Sequence, residues 1–217
     1  MWWKFVNLNM YKLIPMFLFA FGFAETVEIY YQTDTPIAGF QFNVGGVTLT
    51  NASEGDAEKY GFDIFFDSNT TLTTPILGFS LTGSTIPAGN GILLVLDVDG
   101  NTDDVCLTDV IISDSDGQTL DVTVEDCNSI IINEIGNTSS REFAEDGSNC
   151  PSEAASGDIN ADGTSDVLDI VQIANVILGN NFADECAAAA ADINGDSSAD
   201  IQDIVQIVSL IFGYSDL

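Results

Sequence analysis

"DINADGTSDVLD", Asp158 to Asp169, is echoed further along the chain by "DINGDSSADIQD", Asp192 to Asp203, and each stretch runs straight into an apolar segment. Aligned at an offset of 34 residues, Asp158, Ile159, Asn160, Asp162, Asp166, Asp169, Ile170, Val171, Gln172, Ile173, Ile177 and Gly179 recur as the same residue types. Their counterparts are Asp192, Ile193, Asn194, Asp196, Asp200, Asp203, Ile204, Val205, Gln206, Ile207, Ile211 and Gly213. A repeat of this kind is one structural unit used twice. Oxygen-bearing side chains stand at loop positions 1, 3, 5, 9 and 12, the spacing by which a short loop wraps oxygens around a hard cation. Capping a helix explains one Asp. It does not explain four acids at fixed spacing, twice over.

The pattern selects calcium, which accepts six to eight oxygens in irregular geometry. In the first loop the expected ligands are the side chains of Asp158, Asn160 and Asp162 and the backbone carbonyl of Thr164. Asp166 binds directly or through water, and Asp169 closes the loop. The second loop offers Asp192, Asn194, Asp196, Ser198, Asp200 and Asp203 in the same roles. Gly163 occupies the sharp turn at position 6, and Ser197 replaces it in the second loop. A Cβ in a left-handed conformation costs about 1–2 kcal/mol, so the second loop is expected to bind more weakly.

Composition narrows the partners. The 217 residues hold 4 Lys or Arg, 34 Asp or Glu and no His, for a net charge of −30. Nucleic acid and anionic membranes are bound through Lys and Arg, so both are excluded as expected partners. Without His, no Ser/His/Asp or Cys/His arrangement exists, and the commonest general base is missing. Apolar residues make up 46% of the chain, enough to build a core.

Residues 1–24 read as a secretory signal peptide: Lys4 and Lys12, an apolar run from Leu13 to Phe23, and small residues at Gly22 and Ala24. Cleavage is expected after Ala24, and Met10 is an alternative start. After cleavage the remaining basic residues are Lys59 and Arg141. Secretion makes the cysteines disulfide candidates. Cys106–Cys127 and Cys150–Cys186 are the expected pairs, one of three connectivities.

From residue 25 to 127 the chain reads as strands: "VEIYYQ", "IAGFQFNV", "VTLTNA", "FDIFFDS", "PILGFSLTG", "ILLVLDVDG", "CLTDVIIS" and "LDVTVEDC". A ninth run, "SIIINEI", extends the region to about residue 135. Short Val-, Ile-, Thr- and aromatic-rich runs at this spacing predict an all-β sandwich or jelly roll. Phe40 with Phe42, and Ile64 with Phe66, fall on one side of their strands. Asp116-Gly117 predicts a type I′ hairpin in which residue pairs sum to 233, so that Cys106 faces Cys127. "DVDGNTDD", 97–104, lacks a closing acid and reads as a hairpin turn rather than a third cation loop. A small, polar stretch, 136–149, reads as a linker, and 150–217 forms the repeat module as loop, helix, linker, loop, helix.

The module from Cys150 to Leu217 resembles a type I dockerin: two calcium loops, each followed by a helix, with Asp at position 12. The resemblance implies two bound calcium ions and docking on a cohesin-type module that holds secreted proteins on a scaffold. It implies partner contacts at positions 10 and 11, which here are Val167, Leu168, Ile201 and Gln202 in place of the hydroxyl residues many dockerins carry. Ser165 and Ala199 replace the aliphatic usual at position 8. The strand region resembles, more diffusely, a cohesin-like jelly roll, a fold shared with some carbohydrate-binding modules; "PIAGFQFNVGGV", "ILGFSLTGSTIPAGNGILLVLDV" and "CLTDVIISDSDGQTLDV" carry that likeness.

The whole then reads as a multi-domain secreted or cell-surface assembly protein, a sandwich followed by a small helical calcium module, without catalytic activity and with possible use in polysaccharide breakdown. The competing readings are a carbohydrate-binding module delivered by the dockerin, a small glycosidase, and a head-to-tail self-assembling protein. A sugar platform is poorly supported, because the only Trp residues are Trp2 and Trp3 in the signal. Tyr30, Tyr31 and Tyr60 read as strand and core residues. The helices carry more apolar surface than two helices bury against each other. Val167, Val171, Ile201 and Val205, beside Leu168 and Gln202, are therefore expected to form an exposed patch that docks on a partner, a cohesin-type module or a second copy of the chain.

Overall fold

Alternating burial builds the first unit. In β2 (Gly39–Gly45) Phe40, Phe42 and Val44 turn inward while Gln41 and Asn43 turn the other way; in β1 (Glu25–Thr33) Val27, Ile29 and Tyr31 do the same. The computed structural model describes residues 25–68, 73–133 and 157–214. The other strands are β3 (Thr48–Ser53), β4 (Asp63–Phe66), β5 (Thr73–Phe79), β6 (Gly89–Asp99), β7 (Cys106–Ser113), β8 (Asp121–Glu125) and β9 (Ser129–Asn133). They form a five-stranded sheet, β3-β6-β1-β9-β8, facing a four-stranded sheet, β4-β5-β2-β7. Only the β1–β9 pairing is parallel among these strands. Phe40, Phe42, Ile29, Ile76, Leu94, Leu96 and Ile130 fill the space between the sheets. The Phe40 ring lies across Gly78, where a Cβ would stand 2.2 Å from its Cζ, and stacks on Phe42 and Phe62. Ile64 and Phe66 pack on this core from one side of β4, as expected.

The sandwich is therefore as read, and the ninth run is a strand that carries it to Asn133, beyond the boundary at 127. The hairpin is not as read. β7 belongs to the four-stranded sheet, while β8 crosses to the five-stranded sheet and pairs with β9. The turn is closed by Asp114, whose Oδ1 accepts from the N–H groups of Asp116 and Gln118 at 2.9 and 2.8 Å, and the bridge is Ser113 to Thr119. Asp109, at φ 50°, bulges β7, and its register with β2 slips between Gln41 and Asn43. A sandwich encloses its core by sending strands from one sheet to the other. Cys106 and Cys127 do form a disulfide, with Cα atoms 4.4 Å apart. It ties one sheet to the other, not two strands of a hairpin. Residues 97–104 likewise make no hairpin: Thr102–Asp104 form a 3₁₀ turn, capped by Asn101, between β6 and β7. A short helix, α1 (Gly55–Lys59), not foreseen in the strand pattern, follows β3.

The second unit has three helices, α2 (Val167–Ile177), α3 (Glu185–Ala191) and α4 (Ile201–Ile211). α3 lies in what reads from sequence as linker. Asp184 caps it by accepting from the Ala187 N–H at 2.8 Å, and a run of alanines, the best helix formers, carries it. The unit sits on the outer face of the four-stranded sheet. Leu77 and Phe79 of β5 share one apolar cluster with Ile159, Val167, Ile170, Ile173, Ile204 and Ile207. The expected signal peptide, the linker 136–149 and Cys150 lie outside the described residues; Cys186 is disulfide-bonded.

Candidate metal centre and docking face

Each repeat loop is shaped by its own side chains. Asp158 Oδ1 and Oδ2 accept from the N–H groups of Asp162 and Gly163, both at 3.0 Å. Asn160 Oδ1 accepts from Asp162 N–H at 2.8 Å, and Asp162 Oδ1 from Thr164 N–H at 2.9 Å. Asp169 closes the ring: Oδ1 accepts from the N–H groups of Ile159 and Asn160 at 2.7 and 3.1 Å, and Oδ2 from Asp166 N–H at 2.9 Å. The second loop repeats this through Asp192, Asn194, Asp196 and Asp203. Asp166 and Asp200 cap α2 and α4 in capping boxes completed by Asp169 and Asp203. The residues expected as ligands are thus brought into two closed loops.

Among the described residues no three His, Cys, Asp or Glu side chains meet as a preformed metal cluster. In these loops the acids alternate with Asn, Thr and Ser, and their oxygens are turned to backbone N–H groups. The case for a cation rests on charge and burial. Asp169 and Asp203 are fully buried, and no Lys or Arg follows Arg141 in the sequence. Burial pushes the Asp169 carboxyl up to about 7, against the backbone N–H groups that favour its charged form. Burial likewise raises Asp166, with the Asp162 and Asp158 charges adding to it. Buried carboxylates held by backbone N–H groups, in loops whose other side chains offer oxygen and with no basic side chain to pair them, fit calcium.

The helices are unequally placed. Val167, Leu168 and Val171 of α2 are 0, 4 and 5% exposed, whereas Ile201 and Val205 of α4 are 47 and 54% exposed. The expected patch is therefore open only on the second repeat, at Ile201, Gln202 and Val205. On the first repeat the structure corrects it: Val167 and Val171 lie against Gly39 of the chain's own β2, and the Leu168 carbonyl lies close to Gly117. Asn175 Nδ2 donates to Ser115 O at 2.8 Å, and Gln172 Nε2 to Gly117 O at 3.4 Å. The excess apolar stripe was legible; the surface that covers half of it is distant in sequence and was not.

Residues 156–211 match the family described as Dockerin type I domain. The C-terminal unit is a type I dockerin domain. The β-sandwich before it falls outside the matched residues. A chain from the crystal structure of a CaDoc0917–CaCohA2 complex at pH 5.5 is similar over 50% of this chain and 89% of that one. It shares 17% identity with a TM-score of 0.36, too low to carry its fold across. No curated relative matches.

One residue of the dockerin loops escapes the ligand pattern. Ser197 does take the left-handed conformation expected of it, φ 72°, where Gly163 has φ 97°. Ala161, at position 4 of the first loop, is also left-handed, φ 55°, while its counterpart Gly195 has φ 74°. Each loop therefore carries one strained Cβ, and the expected handicap of the second loop is matched in the first. The signal was present in the repeat: glycine at position 4 of one loop marks a left-handed site in the other.

Proposed function

We propose that the protein is a non-catalytic assembly component whose calcium-loaded dockerin docks on a cohesin-type module and so holds the β-sandwich on an extracellular scaffold. The observation that carries this reading is the dockerin match over 156–211 together with the two closed acidic loops. Asp158, Asn160, Asp162, Thr164, Asp166 and Asp169 would hold one ion, and Asp192, Asn194, Asp196, Ser198, Asp200 and Asp203 the other. Calcium supplies the charge that offsets the buried Asp169 and Asp203 carboxylates, which begin the two long helices.

The face offered to the cohesin-type module is α4. Ile201 and Val205 stand exposed beside Phe65, with Val208, Phe212 and Tyr214 lining the same apolar groove against the sandwich. Large exposed apolar surface is the usual mark of a protein interface. Absence of His from the whole sequence supports the non-catalytic reading. The test is surface plasmon resonance of the chain against immobilised type I cohesin modules, in calcium and in EDTA. Calcium-dependent binding, lost in Ile201→Asp with Val205→Asp, supports the proposal. Binding indifferent to EDTA, or unaffected by the double substitution, contradicts it.

A further inference from the structure

The four-stranded sheet is cut to receive one of the two dockerin repeats and not the other. Its outer face has glycine where α2 comes closest. A Cβ on Gly39 would stand 2.7 Å from Val167 Cγ2 and 2.9 Å from Val171 Cγ2. One on Gly117 would stand 2.5 Å from Gln172 Cγ, and one on Gly83 would stand 2.7 Å from Leu178 Cδ1. Three glycines from β2 and two separate turns thus make room for successive turns of one helix. Two side-chain amides, Gln172 and Asn175, then bond to carbonyls of the Asp114–Gln118 turn.

Because the repeat is an internal one, α4 is the natural rival for this seat, and its differences all count against it. Ile201 would bring an extra methylene to Gly39 where Val167 already touches. Gln202 would take the buried place of Leu168, leaving an amide without water. Ser209 is too short to reach the Ser115 carbonyl as Asn175 does, and Phe212 would meet Gly83 in place of Leu178. The seat is also coupled to the first calcium loop. Val167 and Leu168 lie between Asp166, which caps α2, and Asp169, which closes the loop.

We propose that the four-stranded sheet is a built-in docking surface for the chain's own first dockerin repeat, a calcium-dependent clasp in cis that withholds α2 from external partners and leaves α4 as the face presented to them. The clasp itself requires no external partner, so it stands or falls separately from the cohesin reading. A tethered surface acts at an effective concentration on the order of millimolar, so a free partner competes for α2 at a disadvantage.

The test is ¹⁵N relaxation on the chain lacking residues 1–24. In calcium, sandwich and dockerin amides share one rotational correlation time. In EDTA the dockerin amides leave the shared value as α2 and α4 lose their fold; in Gly39→Leu with calcium the two units separate into two values, while far-UV circular dichroism of that variant stays that of the wild type. Gly39→Ala combined with Val167→Ala and Val171→Ala restores the single value, because the added methyl then has room. Two values in the calcium-loaded wild type, or one value in Gly39→Leu, overturns the clasp. A second arm uses an immobilised type I cohesin module. Ile201→Asp with Val205→Asp abolishes capture in the wild-type background and not in Gly39→Leu, where α2 is released; equal loss in both overturns the masking.

Discussion

Two residues decide how evenly the dockerin loops share their strain. Ala161 and Ser197 hold left-handed backbone without being glycine, one in each loop. Each costs about 1–2 kcal/mol relative to glycine. Ala161→Gly should therefore tighten calcium at the first loop, and Ser197→Gly at the second, each by roughly 5–30-fold. Chelator competition on the single variants measures this; unchanged affinity in both shows that the loops tolerate the Cβ. The closed loops were legible, because the residues proposed as ligands each have to be an oxygen donor at a fixed place in a twelve-residue stretch. The strained position 4 was not, because its requirement is on the backbone and leaves no mark in the donor pattern. Gln41 belongs to this scale too. Its Oε1 is buried without a hydrogen-bond partner, on the face of β2 that also carries Gly39 and between Leu77 and Ile111 of the neighbouring strands. An unpaired buried acceptor costs about 1–3 kcal/mol. Gln41→Leu should raise the melting temperature of the calcium-loaded chain, and a lowered one shows that the amide has a role that its surroundings hide.

Elements were read from sequence with unequal success, for a physical reason. Strand existence follows from local alternation, so the nine runs correspond to the nine strands. Strand partnership depends on which sheet each strand joins, and Asp116-Gly117 argued for a local hairpin that the sandwich does not use. The Cys106–Cys127 pair survives that error because the chain returns to β7 at the end of β8, where Leu107 N–H donates to Cys127 O at 2.9 Å. Cross-linking two residues 21 apart removes about 3 kcal/mol of unfolded-state freedom. Cys106→Ser with Cys127→Ser should lower sandwich stability by about that amount in denaturant melts, since β8 and β9 lose their covalent tie to the other sheet. A loss near zero means that β8 and β9 are held by their pairing and by the Ile130 and Ile132 packing alone. The helices pose the converse case. Their period and surplus of apolar residues were plain, yet α2 and α4 are near-copies with opposite fates, one covered and one open. The glycines of the sandwich, far off in sequence, make that distinction by selecting between the few positions at which the two helices differ.

At the scale of the whole molecule an acidic sandwich and an acidic dockerin lie together, with Lys59 the only basic side chain among the described residues. Like charge opposes their contact, and an apolar cluster shared by Leu77, Phe79 and the helix isoleucines holds it. Salt screens the repulsion, so added sodium chloride should favour the closed arrangement at fixed calcium. Calcium bound as proposed would act on the dockerin more strongly than salt does. With free ion about a thousandfold above the dissociation constant, each proposed site would add about 4 kcal/mol to the native state. That is comparable to the whole stability of a small domain. The most direct measurement is amide hydrogen exchange across the whole chain in calcium and in EDTA. The account predicts that EDTA removes protection from α2 and α4 while the nine strands keep theirs. Equal protection of the helices in both conditions would contradict it.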